Sequence, residues 1–311
     1  MKRKVLVFGA SGEIGGRIAR GCVDAGHQVI GVTRGTNQRA CVNLSGVEMV
    51  HGDKHDEAFL RDTVAKLDFD AVIDSVPTLD GLRMYHRHLG KAQNLLICSS
   101  TGTFVPLQYF PADEEHPWRE ETPVNFHNQS VRDAHALSLW ESDGFPVTIL
   151  RPTNIIGPDR VPLELWGGRN IEFFRRLKAG SEVAIPPCTE VLIQSGSNSD
   201  LASAFVKALD VPEAVRGEIF IISCKRAITL GRYLQTAKEF LNSSSKIRVV
   251  SPEELTKLYP DILWRWGLEF LMEHMSFDIS KAERILGYQP RKTTEEGLCD
   301  ALQWCETTGL L

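Results

Sequence analysis

Three glycines, Gly9, Gly12 and Gly15, fall in a G-x-x-G-x-x-G spacing within VLVFGASGEIGGRIARGCVDAG, directly after an apolar run and at the head of an amphipathic stretch. The first permits a tight turn out of a strand and the second lets backbone amides approach an anion. The third lets a helix pack close to that strand, so a diphosphate would meet the helix's positive end. Ser11, Glu13 and Ile14, interleaved with them, belong to the same motif. After the next apolar run the chain reads VTRGTNQ, with no carboxylate to grip ribose hydroxyls. Arg34 there can pair bidentately with a 2′-phosphate, which favours NADP over NAD; the alternative is a solvated surface arginine. Asp53, in HGDKHD, can accept from an adenine amino group, cap the helical stretch EAFLRDTVAKL, or do both.

The elements that must position these residues follow from hydropathy. Val5–Phe8, Val29–Val32, Val47–His51, Ala71–Ser75, Leu95–Ser99 and Val147–Leu150 are short, nearly continuous apolar runs, and most are separated by helical patterns. Such runs signal parallel strands buried on both faces. The expected fold class is therefore α/β, a Rossmann doubly wound parallel sheet with a smaller, mainly helical C-terminal substrate lobe, and with ligands beyond the carboxyl ends of the strands. After Pro152 the pattern becomes irregular and rich in Pro and Gly. Asp200–Leu209 and Glu218–Ser223 then read as one more helix and strand returning to the sheet, and the chain from about Ile228 as mostly helical. The division expected is 1–155 with about 195–225 for the nucleotide domain, and about 156–194 with 226–311 for the substrate lobe.

Bulk properties narrow the partner. The 311 residues are 42% hydrophobic and 24% charged, with a formal charge of -5 and no block of like charge, so nucleic acid and anionic membrane are disfavoured and a small molecule is favoured. No apolar stretch nears the roughly 18 residues of a membrane span. The seven cysteines, Cys22, Cys41, Cys98, Cys188, Cys224, Cys299 and Cys305, are odd in number, scattered and without a CxxC pair. That argues against a disulfide framework or a zinc site and fits a reducing cytoplasm.

Taken together, GASGEIG, HGDKHD, ICSSTGTFV, TILRPTNIIGP, SDLASAF and FDISKAERILGYQP resemble the extended short-chain dehydrogenase/reductases, the NAD-dependent epimerase/dehydratase-like proteins, over nearly the whole chain. A further similarity is to the atypical branch that includes chloroplast stem-loop-binding proteins, because the stretch after AVIDSVP is short. The resemblance implies a Ser or Thr acting with a Tyr-x-x-x-Lys pair. By that alignment Thr101 takes the hydroxyl position, His127 the tyrosine and Val131 the lysine, so the usual pair is absent. Tyr85, Tyr109 and Tyr233 lack a lysine four residues on. Histidine titrates near neutrality without a lysine's help, so His127 with Thr101 can serve as acid/base; the alternative is a degenerate site.

The resemblance also implies substrate contacts at Asn154 and Asn170, beside Thr101, while Ile193 replaces an arginine that holds phosphate in nucleotide-sugar enzymes. The cofactor contacts expected are Gly9, Ser11, Gly12, Glu13, Ile14, Gly15, Arg34, Asp53, Lys54, Ser75, Val76, Pro77 and Pro152. His127 and His135 lie eight residues apart, but no third ligand is in sight and no metal is expected. The function expected is an NADP-dependent (alternatively NAD-dependent) reductase, epimerase or dehydratase acting on a sugar-like, nucleotide-sugar or natural-product hydroxyl or carbonyl. The alternatives are an inactive NADP-binding regulator or scaffold and an RNA-binding relative. A homodimer stays open, since the helices that pair family dimers are shortened or altered here.

Overall fold

A computed structural model of the chain describes residues 2–36, 41–118, 128–260 and 265–311. The first half alternates strand and helix: β1 (Lys4–Phe8), α1 (Glu13–Asp24), β2 (Gln28–Thr33), β3 (Val47–His51), α2 (Glu57–Asp62), β4 (Ala71–Asp74), α3 (Leu79–His88), β5 (Asn94–Cys98), α4 (Gln129–Asp143) and β6 (Val147–Pro152). It continues with β7 (Asn154–Ile156), α5 (Ile171–Lys178), β8 (Val183–Ile185), β9 (Leu192–Ile193), β10 (Ser195–Ser197), α6 (Asn198–Ala208), α7 (Pro212–Val215) and β11 (Ile219–Ile222). The last part holds β12 (Ile228–Thr229), α8 (Leu230–Phe240), β13 (Ile247–Val249), α9 (Pro252–Leu258), α10 (Arg265–Leu271), α11 (Ser280–Leu286) and α12 (Thr294–Thr307).

Seven strands form one sheet in the order β11-β6-β5-β4-β1-β2-β3, every neighbouring pair parallel. Chain order runs outward from β1 through β2 to β3 and then reverses across β1 to β4. The crevice at that reversal is where open α/β sheets bind ligands. Successive residues serve opposite faces: Val5 and Val7 join the larger core, while Leu6 and Phe8 join the smaller one. This double burial is why the strands read as unbroken apolar runs. On the larger-core face α1 crosses α6 at Gly21, where a Cβ would sit 3.1 Å from Val206 Cγ2.

The structure departs from expectation in three places. EAFLRDTVAKL is not one helix: α2 stops at Asp62 and a separate 3-10 turn covers Val64–Lys66. Its cap is Asp56, whose carboxylate accepts from the amides of Ala58 and Phe59, and not Asp53. The irregular 156–194 stretch contains α5, β8 and β9, and the helical tail contributes β12 and β13, which pair with β9 and β8.

Candidate dinucleotide-binding cleft

Beyond the carboxyl ends of β1 to β4 lies a cleft of about 620 Å³. Its floor is the glycine turn. Gly9 has φ +74°, a conformation that favours glycine, and a Cβ at Gly15 would stand 2.2 Å from the Gly9 carbonyl oxygen, so only hydrogen fits there. Gly12 caps α1 in an extended conformation without a side-chain hydrogen bond, which leaves the first-turn amides of that helix uncapped by any side chain. A cradle of this kind suits a dinucleotide diphosphate.

Of the residues expected to hold a cofactor, Gly9, Ser11, Gly12, Glu13, Ile14, Gly15, Arg34, Asp53, Lys54, Ser75 and Val76 line the cleft. Arg34, at the end of β2, is exposed and has no ion-pair partner among the described residues. Val76 is 59% exposed at the lip, an apolar side chain free to lie against a ring. Asp53 accepts from the His55 amide at 2.9 Å. Pro77 and Pro152 do not line the cleft: the Pro77 carbonyl accepts from Arg132 Nη1 at 3.0 Å, and the Pro152 carbonyl from the Thr101 hydroxyl at 3.3 Å.

The sequence reading missed Asp74, which ends β4 with no exposed surface. Both of its oxygens lie 2.8 Å from Lys54 Nζ, the Val76 amide donates to Oδ1 at 2.9 Å, and the Tyr85 hydroxyl donates to Oδ2 at 2.7 Å. Burial and the adjacent carboxylate push the Tyr85 hydroxyl well above its ordinary pKa, so it stays a donor. Its ring stacks on Phe8 at 5.0 Å. Lys54 is thereby pinned across the cleft between the loop after β3 and the end of β4. The signal was present in the sequence: an acid closing an otherwise apolar strand must find a partner. Arg160 also lines the cleft and was missed.

Thr101, one of the two expected catalytic residues, lies apart from this wall. Thr101, in a 3-10 turn after β5, is 3% exposed, and it is not among the cleft-lining residues. His127 lies outside the described residues, and Val131 is half-buried on α4. Ser99, Asp133, Arg132 and Arg151 form a buried polar network in which Asp133 accepts from the Ser99 hydroxyl at 2.6 Å, from Arg132 Nη2 at 2.9 Å and from Arg151 Nε at 3.1 Å. Asn154 is held structurally, accepting from Arg169 Nη2 at 2.8 Å and donating to Ser195 Oγ at 2.9 Å. Asn170 caps α5, its Oδ1 accepting from the Glu172 amide at 2.9 Å. No group of three or more metal-ligating side chains occurs among the described residues, and no helix among them is long and apolar enough to cross a membrane.

The sheet order and glycine cradle define a Rossmann-type dinucleotide fold. Comparison with known proteins agrees: residues 1–88 match the NmrA-like family and residues 78–223 the NAD dependent epimerase/dehydratase family. Solved epimerase and dehydratase structures share this fold at 15–16% identity. Among curated proteins it is 29% identical to chloroplast stem-loop binding protein of 41 kDa b from Arabidopsis thaliana, over 96% of this chain and 78% of that one. It is 24% identical to UDP-N-acetyl-alpha-D-glucosaminuronate decarboxylase from Bacillus cytotoxicus, over 98% of both. A UDP-glucose-4-epimerase from Stenotrophomonas maltophila, solved with NAD and formylated UDP-arabinopyranose, superposes with a TM-score of 0.77 over 99% of each chain at 18% identity, a likeness of fold.

Proposed function

We propose that this chain is an NADP-dependent enzyme of epimerase, dehydratase or reductase type, acting on a hydroxyl or carbonyl of a sugar-like, nucleotide-sugar or natural-product substrate. The observation that carries the reading is the cleft itself: a glycine cradle at the head of α1, lying at the strand-order reversal, with an exposed arginine and no carboxylate at the end of β2. The relatives' activities, a decarboxylase on a nucleotide sugar among them, support a chemistry of this class.

Gly9, Gly12 and Gly15 would admit the diphosphate to the backbone, Arg34 would meet the 2′-phosphate, and Asp53 the adenine. The bound nicotinamide would supply hydride acceptance or donation. The chain's own part is to hold and orient substrate and to move one proton, the task proposed for His127 with Thr101. An imidazole suits that task at neutral pH without the lysine that Val131 replaces.

The second reading, an NADP-binding regulator or scaffold without catalysis, is favoured by the apolar Val131 and by a Thr101 hydroxyl already bonded to a backbone carbonyl. An RNA-binding role, suggested by the name of one relative, is opposed by a formal charge of -5. Calorimetry with both dinucleotides tests the leading reading. NADP should bind at least about ten-fold more tightly than NAD, as one charge-assisted pair allows, and Arg34→Ala should erase the difference. Failure of the wild-type protein to bind either dinucleotide refutes it.

A further inference from the structure

Glu13, the first residue of α1, places a carboxylate at the helix end where a diphosphate would lie, an arrangement that opposes anion binding unless a cation compensates. That cation is Arg160, delivered by the loop between β7 and α5. Its Nε donates to Glu13 Oε2 at 2.7 Å, its Nη2 lies 2.6 Å from the same oxygen, and Asn198 Nδ2 donates to Oε1 at 3.1 Å.

The loop is built to make this delivery. Arg17 donates to the Glu13 carbonyl at 2.9 Å, to the Pro158 carbonyl at 3.3 Å and to the Asp159 carboxylate at 2.5 Å, and Asn198 Nδ2 also donates to the Pro158 carbonyl at 2.7 Å. At Gly157, φ is +134° and a Cβ would fall 2.6 Å from Asn198 Oδ1, so the bend needs glycine. Among the described residues, three extended cationic side chains line the cleft: Arg34, Lys54 and Arg160. Lys54 is neutralised by Asp74, and Arg34 follows β2 with no hydrogen bond or ion pair to the first turn of α1 among the described residues. Arg160 is the one beside that turn. Glu13 engages only part of its five-donor fork, and Nη1 has no hydrogen-bond partner among the described residues.

We propose that Arg160 is a diphosphate-binding residue contributed to the dinucleotide site by the second lobe's loop, with Glu13 holding its guanidinium in place and the Nη1 side left for the ligand. The inference rests on the dinucleotide reading above and adds to it a residue 147 positions from the Glu13 that holds it.

The test is calorimetry with NAD, NADP and 2′-AMP, which has no diphosphate, on the wild-type protein, Arg160→Met, Glu13→Gln and the double variant. Arg160→Met should weaken NAD and NADP by the same factor, about ten-fold or more, and leave 2′-AMP unchanged. The double variant should remain about ten-fold weaker than Glu13→Gln. If the two bind dinucleotides equally, Arg160 only neutralises Glu13 and the inference fails. A wild-type protein that binds neither dinucleotide instead overturns the underlying reading, and this inference with it. Thermal melts check folding, and Arg160→Gln, which can still donate to Glu13, replaces the methionine variant if that one unfolds.

Discussion

Replacing Asp74 with alanine removes the anchor that holds Lys54 across the cleft, and its cost can be worked from the contacts. The carboxylate is fully buried and takes four hydrogen bonds from three partners. Breaking a buried ion pair by deleting one partner costs about 3–5 kcal/mol, because the surviving charge is left uncompensated. Lys54 keeps 16% of its side chain exposed and can turn into the cleft water, which brings its share below that range, to about 2 kcal/mol. The Tyr85 hydroxyl cannot escape, and a buried donor without an acceptor costs about 1–3 kcal/mol, so the whole stays near 3–5 kcal/mol. At about 2.1 cal/mol/K of unfolding entropy per residue, a chain of this length unfolds with about 0.65 kcal/mol/K. Asp74→Ala should therefore lower the calorimetric Tm by about 5–8 °C. Tyr85→Phe, which deletes one donor and leaves the ion pair, should cost about 1–2 kcal/mol, or about 2–3 °C, and much less in the Asp74→Ala background. An Asp74→Ala protein melting within about 1 °C of wild type, or a Tyr85→Phe cost unchanged in that background, refutes the account.

Gly15→Ala, whose Cβ would meet the Gly9 carbonyl oxygen at 2.2 Å, should abolish NADP binding and lower the Tm, and retained affinity would misplace the cradle. Gly267→Ala should loosen the packing of α10 against the turn at Gly167, because its Cβ would fall 1.9 Å from the Gly167 carbonyl oxygen; an unchanged melt counts against that packing. Burial outweighs three backbone amides at Glu164 and pushes its carboxyl up to about 7. The folded state then holds a proton that the unfolded chain releases near 4.5. Stability from this site is therefore full below about pH 4.5 and declines by about 3 kcal/mol as pH rises through 7. Urea melts at pH 5 and 8 should show the decline and Glu164→Gln should flatten it, whereas an equal slope in both proteins would assign it elsewhere. If His127 carries the proton, turnover should titrate within a unit or two of about 6.5 and vanish in His127→Phe with NADP affinity intact; full turnover in that variant moves the proton carrier to another residue.

The sheet was legible because burial on both faces writes strands as apolar runs: Ala71–Ser75 is found as Ala71–Asp74 and Leu95–Ser99 as Asn94–Cys98, every residue of both strands buried. The glycine turn was legible because steric constraint is local. Strands as short as β9 and β12, two residues each, carry too little pattern to announce themselves. Asn170 at the head of IEFFRRLK was a readable cap hidden by the surrounding Pro and Gly. The 157–160 loop was read for its motif alone, since the pairing of Arg160 with Glu13 joins distant parts of the chain and leaves no mark in either neighbourhood. Asn154 shows the reverse limit, since a residue type suited to substrate is engaged by Arg169 and Ser195.

The position of β11 bears on how the protein is made. It is the outermost strand beside β6, and on its outer side the Ile221 amide is met by Glu114 Oε1 at 2.8 Å, a carboxylate that blunts the sheet's edge. Until Ile222 emerges from the ribosome, β6, whose six residues are all buried in the finished fold, is itself a bare edge. At about 5–20 residues per second, the stretch from Pro152 to Ile222 takes roughly 4–14 s to synthesise, long enough for stray pairing with another nascent chain. A fragment stopped near residue 155 would make that exposure permanent, even though it already holds the whole glycine cradle from Gly9 to Gly15.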